Sequence, residues 1–266
     1  MIVTLATPPV SASLITLANV KTEILVSGSD HDTYLTSLIA EANETITGWA
    51  GRPLHRAQWT ETNLGNSLST FGLSRYPIAS LDTVTYDGGA ITTLKIQSRD
   101  GGLLRYPGSS FSTIGEPDEW SFTYTAGWFT TGDDYTGTVS VDATDDSFNS
   151  SASDFHRLLR AGDVVLAGGF TNSVNNGYHR VVTATTAKIT TASSLTTEAS
   201  ASGRTFGLRN LLGWIERAAL DLVRIAYFAR DRDPSIRSIG LGPASVSYDY
   251  GAEAQSIRTR IERLAL

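Results

Sequence analysis

The chain has 266 residues, of which 41% are hydrophobic and 18% charged, a composition typical of a globular protein with a sizeable core. It contains no cysteine, which excludes disulfide bonds, thiolate metal sites and cysteine nucleophiles. The net charge of −6 argues against tight nucleic-acid binding, because proteins that bind nucleic acid expose an excess of lysine and arginine. No charged segment precedes an apolar stretch at Met1, so we expect no secretory signal and folding in a cytosol.

The N-terminal region predicts an extended arm followed by two helices. Residues 1–12 show no periodicity. Thr16 has the side chain and position of a helix N-cap, before a short run with helical apolar spacing. Residues 30–49 keep helical spacing for longer, and Gly51-Arg52-Pro53 ends the pattern. We therefore expect a helical hairpin joined by a short polar turn.

After Pro53 the pattern changes to the alternation that is typical of strands. Asp87-Gly88-Gly89 is a hairpin signal, and the aromatic residues of 120–124 share one face. The strand candidates of this region are 58–63, 81–87, 91–97, 103–106 and 120–124. They predict a small antiparallel sheet.

Residues 132–206 are rich in threonine, serine, glycine and asparagine and form a separate unit in the prediction. Short strand candidates at regular spacing indicate a small all-β barrel or sandwich. We interpret Phe148, Phe170 and Tyr178 as its core rather than as an exposed binding patch. The strand candidates are 138–141, 164–167, 178–183, 188–191 and 204–206.

A long helix over Leu208–Asp231 is the most prominent element of the chain. Its apolar residues form two strips, and the second consists of Leu220, Val223 and Tyr227, with Trp214 near the start. The second strip is either enclosed by its own domain or covered by a neighbouring copy. Charged residues interrupt the apolar run, so the helix is not a membrane span.

The last part of the chain predicts a loop at 240–243, a strand at 244–248 and a terminal helix over 252–266. From Arg204 onwards there are ten arginines, seven acids and no lysine. Arginine without lysine suits bidentate ion pairs at protein interfaces, although a solvated helix face explains many charge runs.

The titratable residues do not form a recognisable catalytic or metal-binding pattern. The four histidines are far apart, and neither a zinc-protease motif nor a serine-hydrolase or phosphate-loop motif occurs. Asp30-His31-Asp32 is better explained by the start of a helix than by a metal site. We therefore expect no enzyme activity, no metal and no cofactor.

Several short motifs follow one another along the chain in a recognisable order. They are Leu14–Val26, Asp30–Trp49, Tyr76–Leu81 with Val84–Tyr86, Tyr124–Trp128, Ala218–Arg232 and Ala244–Tyr248. In this order they resemble the head–tail connector proteins of tailed phages of the gp6-like type. The helix pair ending in Gly51-Arg52-Pro53 resembles the start of that family. Two sheet segments resemble its strand entry and sheet end, and two later segments resemble its long helix and late strand.

This resemblance implies an α+β protein with a mainly α-helical connector core, a small antiparallel sheet and an inserted all-β domain. The core would comprise 1–131 and 207–266, and the insertion, which typical members lack, would comprise 132–206. The family function implies a homo-oligomeric ring, commonly twelve-fold, that joins the portal to a tail or stopper protein. Such a ring lies at the head–tail interface of the virion, assembles in the host cytoplasm, avoids membranes and meets DNA only as the genome passes.

By the same analogy the terminal helix would bind the portal, and the second strip of the central helix would contact other copies. The predicted portal-binding residues are Ile257, Arg258, Arg260, Ile261, Arg263 and Leu264. The predicted inter-subunit residues are Trp214, Leu220, Val223 and Tyr227. Two alternatives stay open at this point: a tail-terminator or baseplate subunit, and a carbohydrate-binding accessory protein.

Overall fold

A computed structural model describes residues 1–9, 13–112, 120–130, 133–152, 158–185, 187–208, 212–230, 238–241, 244–247 and 250–263. The chain divides into two compact units. The β unit comprises Met1–Ala12 and His55–Asn210, and the helical unit comprises Ser13–Leu54 and Leu211–Leu266. The predicted division into 1–131 with 207–266 and 132–206 has other boundaries and stays a prediction.

The first half of the β unit contains a five-stranded antiparallel sheet in the order β1-β2-β8-β4-β5 and a three-stranded sheet in the order β3-β7-β6. The strands are β1 Ile2–Thr7, β2 Ala57–Asn63, β3 Thr70–Gly72, β4 Ile78–Tyr86, β5 Gly89–Ala90, β6 Lys95–Ser98, β7 Leu103–Arg105 and β8 Trp120–Ala126. Alternation places Trp120, Phe122 and Tyr124 of β8 on one buried face, as predicted. Phe71 and Phe111 pack against Phe122 there, with ring centroids 5.1 and 6.1 Å away.

The second half of the β unit is a closed six-stranded barrel in the order β10-β13-β12-β11-β14-β9. Its strands are β9 Tyr135–Asp142, β10 Ser147–Asn149, β11 Val164–Gly168, β12 Gly177–Ala184, β13 Lys188–Thr191 and β14 Glu198–Gly207. Phe148, Phe170 and Phe206 fill its interior, so the prediction that Phe148 and Phe170 are core residues is confirmed. Tyr178 is different: it lies on the outward face of β12 with 76% of its surface exposed.

The helical unit contains α1 Leu17–Glu23, α2 Asp32–Ala50, α3 Gly213–Ala229, α4 Tyr250–Glu262 and a hairpin of β15 Ser238–Leu241 and β16 Ala244–Ser247. The Thr16 hydroxyl accepts a hydrogen bond from the Asn19 amide at 3.2 Å, so the predicted N-cap is confirmed. Gly51 ends α2 with φ 65°, in the left-handed region, where glycine has less steric strain than any other residue. The central helix is 17 residues long, shorter than the predicted 208–231.

The predicted fold class is wrong in its main feature, the mainly α-helical core. Of the residues that the structure describes, strands account for 37% and helices for 26%. The reason is cross-strand pairing. β9 and β14 run together from Tyr135↔Phe206 to Val141↔Glu198 and extend well beyond the short apolar cores from which they were predicted. The predicted extended arm is part of the sheet, because Ile2–Thr7 pairs with β2 from Ile2↔Thr62 onwards.

Candidate functional site

Tyr34, Tyr227, Phe228 and Arg230 form a group on the helical unit that we call the aromatic–arginine cluster. The Tyr227 ring lies 6.3 Å from the Tyr34 ring and 5.3 Å from the Phe228 ring, between centroids. The Arg230 guanidinium carbon lies 4.0 Å from the centre of the Tyr227 ring and 6.0 Å from that of Tyr34. The cluster therefore joins the first turn of α2 to the end of α3.

The cluster presents its outer members to solvent around a buried centre. Tyr227 is 6% exposed and is held by its neighbours, including the His31 ring at 5.8 Å in an edge-on arrangement. Phe228 and Tyr34 are 46% and 37% exposed, and Arg230 is exposed. Aromatic side chains and arginine are enriched in protein–protein interfaces and dominate their binding energy. The arrangement therefore suits contact with another protein.

The predicted inter-subunit strip of α3 is mostly covered within its own chain. Val223 and Tyr227 are buried, whereas Leu220 and Trp214 are half-buried. α2 and the aromatic cluster pack against this side of α3 and leave Val223 and Tyr227 little exposed surface, and their contact with another copy stays a prediction. A contact between copies through Trp214 and Leu220 stays a prediction.

The predicted portal-binding helix is partly used inside the helical unit. Ile261 is fully buried within its own chain, and its contact with a portal stays a prediction. Ile257 is half-buried, and Arg258 forms an ion pair with Glu262 at 2.7 Å. The Arg260 guanidinium carbon lies 5.2 Å from the centre of the Trp214 ring.

Arg263, the next predicted portal contact, is exposed, and Leu264 lies outside the described residues. The contact between Arg260 and Trp214 joins a residue predicted to bind the portal to a residue predicted to contact another copy. A portal contact through the exposed arginines of α4 stays a prediction.

The arginines of α3 pair with acids of the same unit. Arg217 contacts Glu23 at 2.8 Å and Asp221 at 3.0 Å, and Arg224 contacts Asp221 at 3.3 Å. The hydrogen bond to Glu23 and the neighbouring charge of Asp221 raise the pKa of Arg217. These contacts link α3 to α1, so part of the arginine-rich composition serves the fold.

No metal site or membrane span is found in the described ranges. Within them, no group of three or more histidine and acidic side chains is arranged to hold a metal ion. Asp32, from the Asp30-His31-Asp32 motif, instead forms an ion pair with Lys21 at 2.7 Å. Among the helices of these ranges, none has the length and apolar character needed to cross a bilayer.

Sequence reasoning missed two exposed apolar surfaces in the described part of the chain. Phe228 lies outside the second strip assigned to α3, and Tyr34 lies in the segment 30–49, which was predicted only to be helical. On the barrel, Leu166 pairs in register with Tyr178, and both are exposed beside two exposed valines of the same strands. Successive side chains of a strand point to opposite faces. In β12 His179 and Val181 are buried, so Tyr178 lies on the opposite, outward face.

The comparisons with known proteins are sparse. No protein-family model and no curated protein matches this chain. Among solved structures, the chain is similar to one in "Neck of empty GTA particle computed with C6 symmetry", with a TM-score of 0.39 and 15% identity. That match covers 48% of this chain and 71% of the other chain.

Proposed function

We propose that this chain is a structural virion protein, a head–tail adaptor without enzyme activity. Its copies form a ring beneath the portal, join the portal to a tail or stopper protein and surround a channel through which DNA passes. The ring assembles in the host cytoplasm and remains at the head–tail interface of the virion. The ordered sequence motifs suggest this class of protein, and the aromatic–arginine cluster is the structural observation that supports it.

The cluster supports a ring because it is a contact surface that one copy leaves uncovered. A cyclic ring needs two different complementary surfaces on each subunit, so an apolar surface on one side must meet another side of the next copy. Burying a fully exposed aromatic side chain contributes about 1.5–3 kcal/mol. Because Phe228 and Tyr34 are 46% and 37% exposed, covering the rest of both contributes about 1–2.5 kcal/mol to each contact between copies.

The net charge is also compatible with a channel for DNA. At −6 per copy, a ring of many copies is strongly acidic overall. An acidic bore repels phosphate groups and does not hold the genome as it passes, whereas a basic bore would bind it. DNA is therefore a passing cargo in this proposal and not a ligand.

The test combines native mass spectrometry with negative-stain electron microscopy of the chain, alone and mixed with the portal protein of the same genome. We expect the wild-type chain to add a ring of matching symmetry to the portal. Phe228→Ser should weaken ring formation at least tenfold. Val174→Ser is the matched control, because Val174 is similarly exposed, at 54%, but belongs to the β unit.

Two results would reject the proposal. One is a wild-type chain that adds no ring to the portal at concentrations where portal rings are intact. The other is a ring with a symmetry unrelated to the portal that binds the far end of a tail tube, which would identify a tail-terminator or baseplate subunit. If Phe228→Ser and Val174→Ser weaken ring formation equally, the aromatic–arginine cluster is not part of the contact between copies.

A further inference from the structure

A cavity of about 380 Å³ lies within the β unit, and its charged lining is dominated by arginine. It is bordered by the first residues of β4, by the Gly127-Trp128 segment after β8 and by the Ala161-Gly162 turn before β11. The charged residues of its wall are Arg56, Arg99, Arg180, Asp100 and Asp163.

Arg56 is the unusual member of this group, because it is buried and only partly paired. Its side chain is 1% exposed, and its Nη1 donates to Asp163 Oδ1 at 2.9 Å. Its guanidinium carbon lies 4.4 Å from the centre of the Phe129 ring. Within the described residues, its Nε and Nη2 atoms are buried and make no hydrogen bond.

The two unpaired nitrogens are neighbours on one edge of the planar guanidinium. That edge presents two parallel N–H groups, the geometry that binds both oxygens of one carboxylate. Buried donors without acceptors cost free energy, so a ligand that supplies two acceptors is favoured at this edge. Arg56 lines the cavity, but both nitrogens are covered from water, so a ligand in the cavity reaches this edge only when the wall moves.

Two other arginines of the β unit have fewer unpaired nitrogens than Arg56. The half-buried Arg160 donates through Nε to Ser80, through Nη1 to the Leu159 carbonyl and through Nη2 to Thr125. Arg204 uses both of its terminal nitrogens and leaves only Nε unpaired. Among the arginines that the structure describes, Arg56 is the one with two buried nitrogens that make no hydrogen bond.

The charges of the cavity favour a ligand with a single negative charge. Three arginines and two aspartates line it, which leaves one excess positive charge. Asp163 is already engaged on both oxygens, by Arg56 and by the Arg160 amide at 2.7 Å. Burial lowers the pKa of Arg56, and the charge of Asp163 opposes this effect. The nearby charges of Arg160 and Arg99 lower the pKa further, so these arginines add positive potential at Arg56.

We propose that this cavity binds a carboxylate, which receives hydrogen bonds from Nε and Nη2 of Arg56 and is approached at the rim by the exposed Arg180. The carboxylate belongs either to a free acid or to an acidic side chain of another protein. A phosphate dianion is less favoured, because the cavity has one excess positive charge and not two.

The test is a titration of the full chain with sodium acetate, followed by the Nε–Hε nuclear magnetic resonance signal of Arg56. Sodium chloride at equal ionic strength is the reference. We expect a saturable shift with acetate, weakened at least fivefold in Arg180→Gln. Arg105→Gln is the matched control, because Arg105 is an exposed arginine of the same unit outside the cavity, and it should leave the shift unchanged.

Two further arms use a capped tripeptide with a central glutamate and inorganic phosphate. Tighter binding of the peptide than of acetate would support a protein-borne carboxylate, and tighter binding of acetate would support a free acid. The proposal is overturned if acetate produces no shift beyond that of chloride. It is also overturned if phosphate binds more tightly than both carboxylates, or if Arg105→Gln weakens binding as much as Arg180→Gln.

Discussion

We expect the barrel to lose more stability from the loss of the Glu198–Arg204 ion pair than from any other polar contact among its described residues. The variant Glu198→Gln tests this expectation. Both side chains are almost fully buried, and their charged atoms lie 2.8 Å apart. Glu198 also accepts hydrogen bonds from the Thr171 and Asn172 amides at 3.1 and 2.7 Å and from the Asn175 side chain at 2.9 Å. One carboxylate thus holds the turn before β12 against β14.

Glutamine keeps the shape of Glu198 but removes its charge and turns one acceptor into a donor. Each carboxylate oxygen accepts two hydrogen bonds, so the new amide group faces two donors wherever it is placed. Arg204 is left buried without its counterion. Breaking a buried pair in this way costs about 3–5 kcal/mol. For a unit of this size that lowers the melting temperature by about 6–20 °C.

Scanning calorimetry at pH 7 measures the change as a shift of the β-unit transition. Asp145→Asn is the control, because it breaks the exposed ion pair with Lys188 in the same barrel and should leave the melting temperature nearly unchanged. The double variant Glu198→Gln with Arg204→Met should recover much of the loss, since no charge then remains buried. Equal shifts in Glu198→Gln and Asp145→Asn would refute the argument.

Three further outcomes are expected. Burial opposes the charged form of Glu198, but the Asn172 and Thr171 amides outweigh it and lower its pKa to about 2. The folded pKa is then below the ordinary 4.5, so the advantage of wild type over Glu198→Gln should be complete above pH 4.5 and should shrink as the pH falls towards 2, in acid titrations followed by circular dichroism. Burial lowers the pKa of His55 to about 4, so the neutral form is favoured in the fold and stability is lost as the pH falls from 6.5 to 4. The gap corresponds to about 3 kcal/mol, and His55→Leu should remove this part of the pH dependence in urea unfolding; an unchanged slope would contradict it. Gly127 has φ +103°, and an added Cβ would lie 2.4 Å from the His55 carbonyl oxygen, whereas at Gly203, with φ +76°, no atom lies within 4 Å. Gly127→Ala should therefore destabilise the β unit by about 3 kcal/mol or more and Gly203→Ala by about 1 kcal/mol, and equal midpoints in urea would count against the close approach.

Some features of the fold could be predicted because they depend on neighbouring residues only. The hydroxyl of Thr16 caps the amide three positions on, and Gly51 ends α2 through its own φ. The hairpin signal at Asp87-Gly88 corresponds to two consecutive residues with positive φ, 48° and 72°. Local spacing also placed the aromatic residues of β8 on one face.

Other features depend on which distant segments meet. The spacing of α3 shows two apolar strips, but the packing of α2 against α3 decides that Val223 and Tyr227 are covered and that Phe228 is not. The same is true of strand pairing, which turned the predicted N-terminal arm into β1 and made strands the larger share of the fold.

The candidate sites, too, depend on contacts between distant segments. Spacing and composition alone show that α3 is amphipathic, that the segment after Arg204 is rich in arginine and that cysteine chemistry is absent. The folded chain brings Arg56 to Asp163, 107 positions away, and leaves one edge of the Arg56 guanidinium without a hydrogen-bond partner among the described residues. Capping and periodicity act over a few residues, whereas burial and ion pairing are set by segments that approach each other only when the chain has folded.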